Sequence, residues 1–360
     1  MNTPTRAEVF PAGEFLADEL EARGWTQAEF AEVVGRPPQF VSEIISGKKE
    51  ITRESAAQIA AALGTSTELW LNLQDAYFLW RQSRDSKTQT TLDEVRTRAR
   101  MKELAPVSIL VKRGFIKSAG LHQQAEELRK LYRMVSLEDE PNLQIAARRT
   151  NQDEALSSTQ LAWVACVQFL AEGREIGTFS LDRMMELGAR ISHEVEDPAA
   201  FSALPALFAD YGVNLVYVES FPSSKLDGCS LMMDGNPVIG ISGRGKRLDK
   251  VLFTLLHEVA HLALGHLDGD GLIVDDPDAP HTLGTEKDAD DLASSWVLPN
   301  ELPVIPERVS SGWINRAAAA QGVHPIVVVG RLQKLEVLNW RTALVKDAPN
   351  VDSQLSSWVQ

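Results

Sequence analysis

His257, Glu258 and His261 are the side chains whose types and spacing are best suited to chemistry, and they sit in the run LDKVLFTLLHEVAHLALGH. Its apolar residues recur at helical spacing, with neither Pro nor Gly before Gly265, so the spacing predicts a helix. On an α-helix four residues advance about 40° beyond a full turn, which projects His257 and His261 side by side, one turn apart. Two imidazole nitrogens so placed can share one Zn2+ at roughly 2.0–2.1 Å each. Glu258 can reach a water beside the metal without ligating it. A carboxylate there takes that water's proton as general base and passes it to a leaving amine. HExxH fixes only three residues and also turns up by chance on solvated helices. Here the flanks are apolar on nearly every side, and a buried His-Glu-His set without partners is costly. A shared metal satisfies all three.

The third ligand must come from elsewhere. A metzincin pattern, HExxHxxGxxH, needs Gly at 264 and His at 267, where this chain has Leu264 and Leu267. His266, nine residues from His257, falls about 180° around the helix and is assigned instead to its carboxyl end, where an imidazolium suits the dipole. A carboxylate on a second helix is the alternative. In the stretch from Glu286 to Pro299, Ala289, Leu292, Ala293, Trp296 and Val297 form an apolar stripe, with Glu286 one turn before Ala289 and Asp290. Asp290, four residues after Glu286, faces the same way and can accept a hydrogen bond from the outer nitrogen of a zinc histidine. The plain reading of Glu286 is a carboxylate at a helix amino end. His281, in a Pro- and Gly-containing loop, is a rival ligand.

From about residue 204 to 298 the chain resembles the ImmA/IrrE family of metallopeptidase domains. The residues that carry this are Ile239-Gly240-Ile241-Ser242, Lys246-Arg247, Phe253 to His261, and Glu286…Ala289-Asp290…Ala293…Leu298-Pro299. The resemblance implies zinc on His257, His261 and Glu286, with Glu258 as base in a gluzincin-like site. Val259-Ala260 stands where Leu-Gly is commoner, and Asp290 where Asn is commoner. Neither departure removes a ligand; Ala260 narrows the helix face, which bears on activity more than on the metal. Val213 to Val218 and Val238 to Ile241 have strand composition, with Asp234-Gly235-Asn236 as the turn before the second. A sheet edge there would hold an extended peptide by backbone pairing, and an ordinary packed sheet is the other reading. Tyr217 and His281 are candidates for stabilising an oxyanion. Cys229, just before the expected edge strand, could reach and block the metal as a thiolate, against the plainer reading of a small buried residue.

The first eighty residues read as short helices. Thr26-Gln27-Ala28-Glu29 is a capping box, Pro37-Pro38 opens a third helix, and Thr52 caps a fourth. Two short helices joined by a glycine turn make a helix-turn-helix. Gly13 to Leu16, Gly24 to Gln27, Ser42 to Lys48, Ile51-Thr52 and Trp70 to Tyr77 resemble the XRE-type helix-turn-helix, in particular the HigA antitoxin group. The resemblance implies that Gln39 and Ser42 face the major groove of double-stranded operator DNA, with Gln27, Arg36, Lys48 and Lys49 on phosphates. It also implies a homodimer on a near-palindromic site. Residues 1–84 hold 8 Lys/Arg against 12 Asp/Glu, which argues against strong non-specific DNA affinity. Arg36, Lys48, Lys49 and Arg53 nevertheless cluster near the recognition helix, and local sign is what counts within a Debye length of about 8 Å. A protein-interaction module is the competing reading of this head.

The whole chain, 360 residues with net charge −14, is long enough for more than one core. It lacks an uninterrupted apolar run of roughly 18 residues, and its start has no signal-peptide apolar region. Only Cys166 and Cys229 are present, so a cytoplasmic protein without a disulfide framework is expected, and no membrane partner. The expected fold is mainly α with a small α+β part. Its divisions are a helix-turn-helix domain at 1–80, a helical linker and coupling region at 81–190, a helical and small-sheet metallopeptidase domain at 191–300, and a helical segment at 301–360. The functional expectation is a DNA-binding transcriptional regulator carrying a zinc endopeptidase, whose protein substrate, by resemblance, is a helix-turn-helix repressor or a toxin–antitoxin partner. Two alternatives stand beside it: a non-cleaving zinc sensor on a transcription factor, and a HigA-like antitoxin that grips a toxin.

Overall fold

Glycines and capping side chains cut the amino-terminal sequence into short helices. The computed structural model describes residues 9–143, 156–267, 271–275, 284–298 and 300–359. Helix α1 (Ala12–Arg23) stops at Gly24, whose φ of 69° is left-handed. Helix α2 (Gln27–Val33) opens on the expected capping box: Thr26 Oγ1 accepts from the Glu29 N–H at 3.2 Å, and Glu29 Oε2 from the Thr26 N–H at 2.7 Å. Helices α3 (Pro38–Ile45), α4 (Arg53–Leu63, capped by Thr52) and α5 (Thr67–Arg84) follow. Leu16, Leu20, Phe30, Val41, Ile44, Ile59 and Trp70 fill their shared core.

Gly13 is needed where α1 meets α3, since a Cβ there would lie 2.4 Å from the Ile44 carbonyl oxygen and 2.7 Å from that of Ile45. Gly13→Ala should therefore destabilise the amino-terminal unit by about 1–3 kcal/mol, because backbone cannot step aside as a side chain can. Hydrogen exchange of the α1 and α3 amides would show it; unchanged protection would mean that the contact relaxes without cost.

The chain divides into two units, Met1–Arg96 and Thr97–Gln360. Residues 81–100, the start of the stretch expected as a helical linker, are helical almost throughout. Helix α6 (Ser86–Leu104) starts directly after Asp85, whose carboxylate accepts from the Thr88 amide and hydroxyl. Its polar composition reflects exposure, and pairs such as Arg96–Asp93 support it along its own surface.

In the second unit a four-stranded sheet takes the order β1-β3-β2-β4, from β1 (Asn214–Tyr217), β2 (Gly228–Met233), β3 (Asn236–Ile241) and β4 (Leu272–Asp275). β1 and β3 are parallel and the other pairs antiparallel. Asp234 and Gly235, both at positive φ, make the tight β2–β3 turn read from the sequence. One sheet face, with Val216, Cys229, Leu231 and Val238, packs on Trp163, Cys166 and Val167 of α9 (Ser158–Ala171) and on residues from α7 (Val107–Lys112) and α8 (Leu121–Leu131). Much of the segment set out as a coupling region thus builds one layer of this unit. The other face, with Leu215, Tyr217, Ile239 and Ile241, packs against α10 (Leu181–Glu194), α11 (Leu204–Asp210), α12 (Leu248–Ala263) and α13 (Gly284–Val297). The tail forms a helix pair, α14 (Ser311–Gln321) and α15 (Pro325–Lys334), and ends in α16 (Asp352–Ser356). Val351 N–H donates to the Lys246 carbonyl, tying the carboxyl end to the entry of α12.

Candidate functional site

Helix α12 is buried along nearly its whole length, and α13 crosses it so that His257, His261 and Glu286 meet. His257 Nε2 lies 3.0 Å from His261 Nε2 and 3.3 Å from Glu286 Oε2, while His261 Nε2 lies 3.6 Å from Glu286 Oε1. A tetrahedral ion with bonds of 2.0–2.1 Å spaces its ligand atoms about 3.3–3.4 Å apart, and the three separations bracket that value. The donor set of two imidazoles and one carboxylate is also a zinc set. Burial works against a proton on His257, yet its contacts with Asp290 and Glu286, and the fields of Asp275 and Glu258, raise its pKa, whereas burial lowers that of His261 despite its contact with Glu286.

Glu258 is fully buried beside this cluster. Its Oε2 accepts from Ser230 Oγ at 2.6 Å, and its Oε1 has no hydrogen-bond partner. Burial pushes its pKa up to about 8, opposed by His257. Gly228 makes room for it, since a Cβ there would lie 2.5 Å from Glu258 Oε1. Sequence reasoning missed Ser230 and Gly228; the period-two alternation of β2 could have marked them as facing α12 together. The same alternation sends Cys229 to the opposite face, where it packs with Val167 and Gly240. Its thiol is fully buried with its pKa raised by that burial, so Cys229 is a core residue and not a blocking thiolate.

Asp290 Oδ1 approaches His257 Nδ1 to 3.0 Å. The separation is that of a hydrogen bond to the outer nitrogen, although its angle falls short of a straight one. Lys334 donates to the other oxygen of Asp290 at 3.0 Å, a partner that the sequence did not suggest. His266 departs from expectation. The helix has ended before it: Gly265 turns left-handed, its N–H donates to the Leu262 carbonyl and that of His266 to the His261 carbonyl. This folds His266 back until its Nδ1 is 3.0 Å from His261 Nδ1. A helical azimuth no longer applies to it. Tyr217 packs against Gly243 and lies in the fields of Glu219, Lys246 and Asp352. His281 lies outside the described residues. The expected edge strand, 238–241, is interior between β1 and β2, and the edges of the sheet are β1 and β4.

In the amino-terminal unit, α2 and α3 form the helix-turn-helix. Gln39 and Ser42 are exposed on α3, and Gln27 is exposed at the start of α2. Gln39 Nε2 donates to Glu43 Oε1 at 2.8 Å. Arg36, placed on phosphates by the resemblance, bonds Gln58 at 3.0 Å, pairs with Glu54 and stacks over Phe40. Lys49 pairs with Glu43 at 3.5 Å. Lys48 is exposed and has no carboxylate partner among the described residues, which leaves it the freest cation of those assigned to phosphates.

Comparison with known proteins finds the profile of the helix-turn-helix family matching residues 16–70. An uncharacterized HTH-type transcriptional regulator of Escherichia coli, YbaQ, is 31% identical over 97 residues, 27% of this chain and 86% of that protein. Antitoxin HigA-1 of Vibrio cholerae is 40% identical over 77 residues, 21% of this chain and 72% of that protein. A crystal structure described as an antidote protein of a plasmid maintenance system, from Nostoc punctiforme, is 34% identical and covers 24% of this chain and 97% of that one, with a TM-score of 0.22.

Proposed function

Because the chain belongs, through its amino-terminal unit, to the XRE-type helix-turn-helix family, we propose that it is a cytoplasmic DNA-binding regulator whose second unit is a zinc-dependent endopeptidase, acting on a repressor or toxin–antitoxin partner. One observation carries the peptidase half: three ligand atoms at zinc spacing beside a buried carboxylate with one oxygen unpartnered. His257, His261 and Glu286 would hold the metal. When bound, zinc supplies Lewis acidity toward a peptide carbonyl and toward water. Glu258 takes a proton on Oε1 and delivers it to the leaving amine, while Ser230 fixes Oε2. Asp290 orients His257, and the apolar walls of α12 keep bulk water away from these transfers.

The test is metal analysis of the purified full chain together with mass-spectrometric cleavage mapping against helix-turn-helix proteins encoded beside it. One zinc per chain with defined cut products is expected. Zinc without a product would make the second unit a sensor, and a chain that takes up no zinc would end the metal reading. The 40% identity to antitoxin HigA-1 supports a second reading, in which the chain restrains a toxin; recovery of an intact, inactive toxin with the protein would mark it.

On DNA, Gln39→Ala with Ser42→Ala should relax base choice, since a bidentate pairing of the Gln39 amide to a base edge supplies about 1–3 kcal/mol of discrimination and the Ser42 hydroxyl can add a single bond. Lys48→Ala should weaken all sequences alike and reduce the salt slope by about one. Binding curves at several salt concentrations separate the two; indifference to all three substitutions would make the head a protein-interaction module. Homodimeric binding to a near-palindromic operator is the expected mode.

A further inference from the structure

A pocket of about 430 Å³ lies along the groove between α12 and α13, closed on a third side by α15. It leads away from the metal cluster. The Phe253 ring, which faces the His257 ring with centroids 6.3 Å apart, forms its wall on that side. Thr254 lines it one turn before Glu258, and the two side chains meet over Gly228. On α13 the lining continues with Ser294 and Val297, one and two turns beyond Asp290.

The charges of this pocket are unbalanced. Arg244 pairs with Asp227, Lys334 with Asp290, and Asp249 with Arg247. Lys250 and Arg331 remain, with no carboxylate partner for either among the described residues; Lys250 instead lies 5.7 Å from the Trp340 ring centroid. Phe253, Val297, Val327 and Trp340 supply apolar surface between these cations. A short apolar stem ending in a carboxylate fits such a lining: methylenes meet the rings, and the charge meets guanidinium and ammonium. Lys250 precedes His257 by seven residues, about 10 Å of helix rise, a span that two extended peptide residues at about 3.3 Å each together with an acidic side chain cover.

We infer that this pocket is a specificity subsite that selects an acidic side chain, Asp or Glu, within two residues of the bond cut. The inference rests on the peptidase reading of the metal cluster and adds the substrate's chemistry to it.

The experiment exposes zinc-loaded full-length protein to a peptide library of mixed sequence and maps cuts by mass spectrometry, for the natural chain and for Lys250→Glu with Arg331→Glu. The expected result is enrichment of Asp or Glu at one flanking position by about tenfold or more, the scale set by one hydrogen bond to a charged group. In the double variant the enrichment passes to Lys or Arg, with zinc content unchanged. Cuts without acidic enrichment in the natural protein overturn the inference and leave the peptidase reading standing. If the variant does not fold, the natural protein's preference decides alone. If zinc is held but nothing is cut, the peptidase reading falls, and binding of a glutamyl hydroxamate against a lysyl hydroxamate decides the pocket. Tighter binding of the glutamyl probe supports it, and equal affinities overturn it.

Discussion

Glu258→Gln should bind zinc as the natural protein does and lose about 10²–10⁴-fold in cleavage rate, the range attributed to a positioned general base. The amide keeps the size of the carboxylate and can still accept from Ser230 Oγ at the position where Oε2 accepts at 2.6 Å. It has no lone pair that takes a proton near neutral pH, so only the proton transfer is removed. Folding should not suffer. A buried carboxylate whose pKa burial lifts to about 8 is replaced by a neutral group in the same cavity. Metal content, thermal midpoint and single-turnover cleavage must be read on one preparation. A variant that cuts as fast as the natural chain would remove Glu258 from the chemistry; one that loses zinc would show that it serves the metal instead. Ser230→Ala is the companion. It leaves a second oxygen of Glu258 unpartnered in the core, and should lower the rate less than Glu258→Gln while keeping the metal.

The parts of this molecule that were legible beforehand are those governed by local rules. Capping by Thr26 and Thr52 and the Asp234-Gly235 turn depend on neighbours a few residues away, and sequence displays those neighbours. The pairing of Glu286 with His257 and His261 was legible for a different reason: two helices each carried a polar set on an otherwise apolar face, and buried polar sets seek one another. What was not legible depended on chain reversal or on strand order. His266 failed because a helical azimuth does not extend beyond Ala263, where the helix stops. Residues 238–241 failed as an edge because a strand's own composition does not say which strands flank it, whereas the plainer reading of Cys229, a small buried residue, holds. Arg36 illustrates a third limit: its partners Glu54 and Gln58 lie on the next helix, and only the fold brings them to it. Residues 81–100 carry the helix expected of that stretch despite their polar composition, since a solvated helix needs no apolar stripe once capped.

Zinc should also raise the melting midpoint of the second unit, and removing it should return the midpoint to its starting value. An ion held only by the folded state, at a free concentration about a thousand times its dissociation constant, stabilises that state by about 4 kcal/mol. For a unit of this size such a gain moves the midpoint by roughly 10 °C. Glu286→Ala should abolish the zinc-dependent rise, because one of three ligands goes and both imidazoles lose their shared carboxylate. Asp290→Ala should diminish the rise without abolishing it. Asp290 contacts His257 Nδ1 rather than the metal position, and losing such an orienting partner costs about 10–100-fold in metal affinity. The graded order, natural chain above Asp290→Ala above Glu286→Ala, is the signature of a metal held by Glu286 and steered by Asp290. Calorimetry with zinc and with a chelator distinguishes this from plain structural damage, which would lower all midpoints with and without metal by the same amount. Equal zinc response in all three proteins would mean that the ion binds elsewhere, and the spacing of His257, His261 and Glu286 would then be a packing arrangement alone.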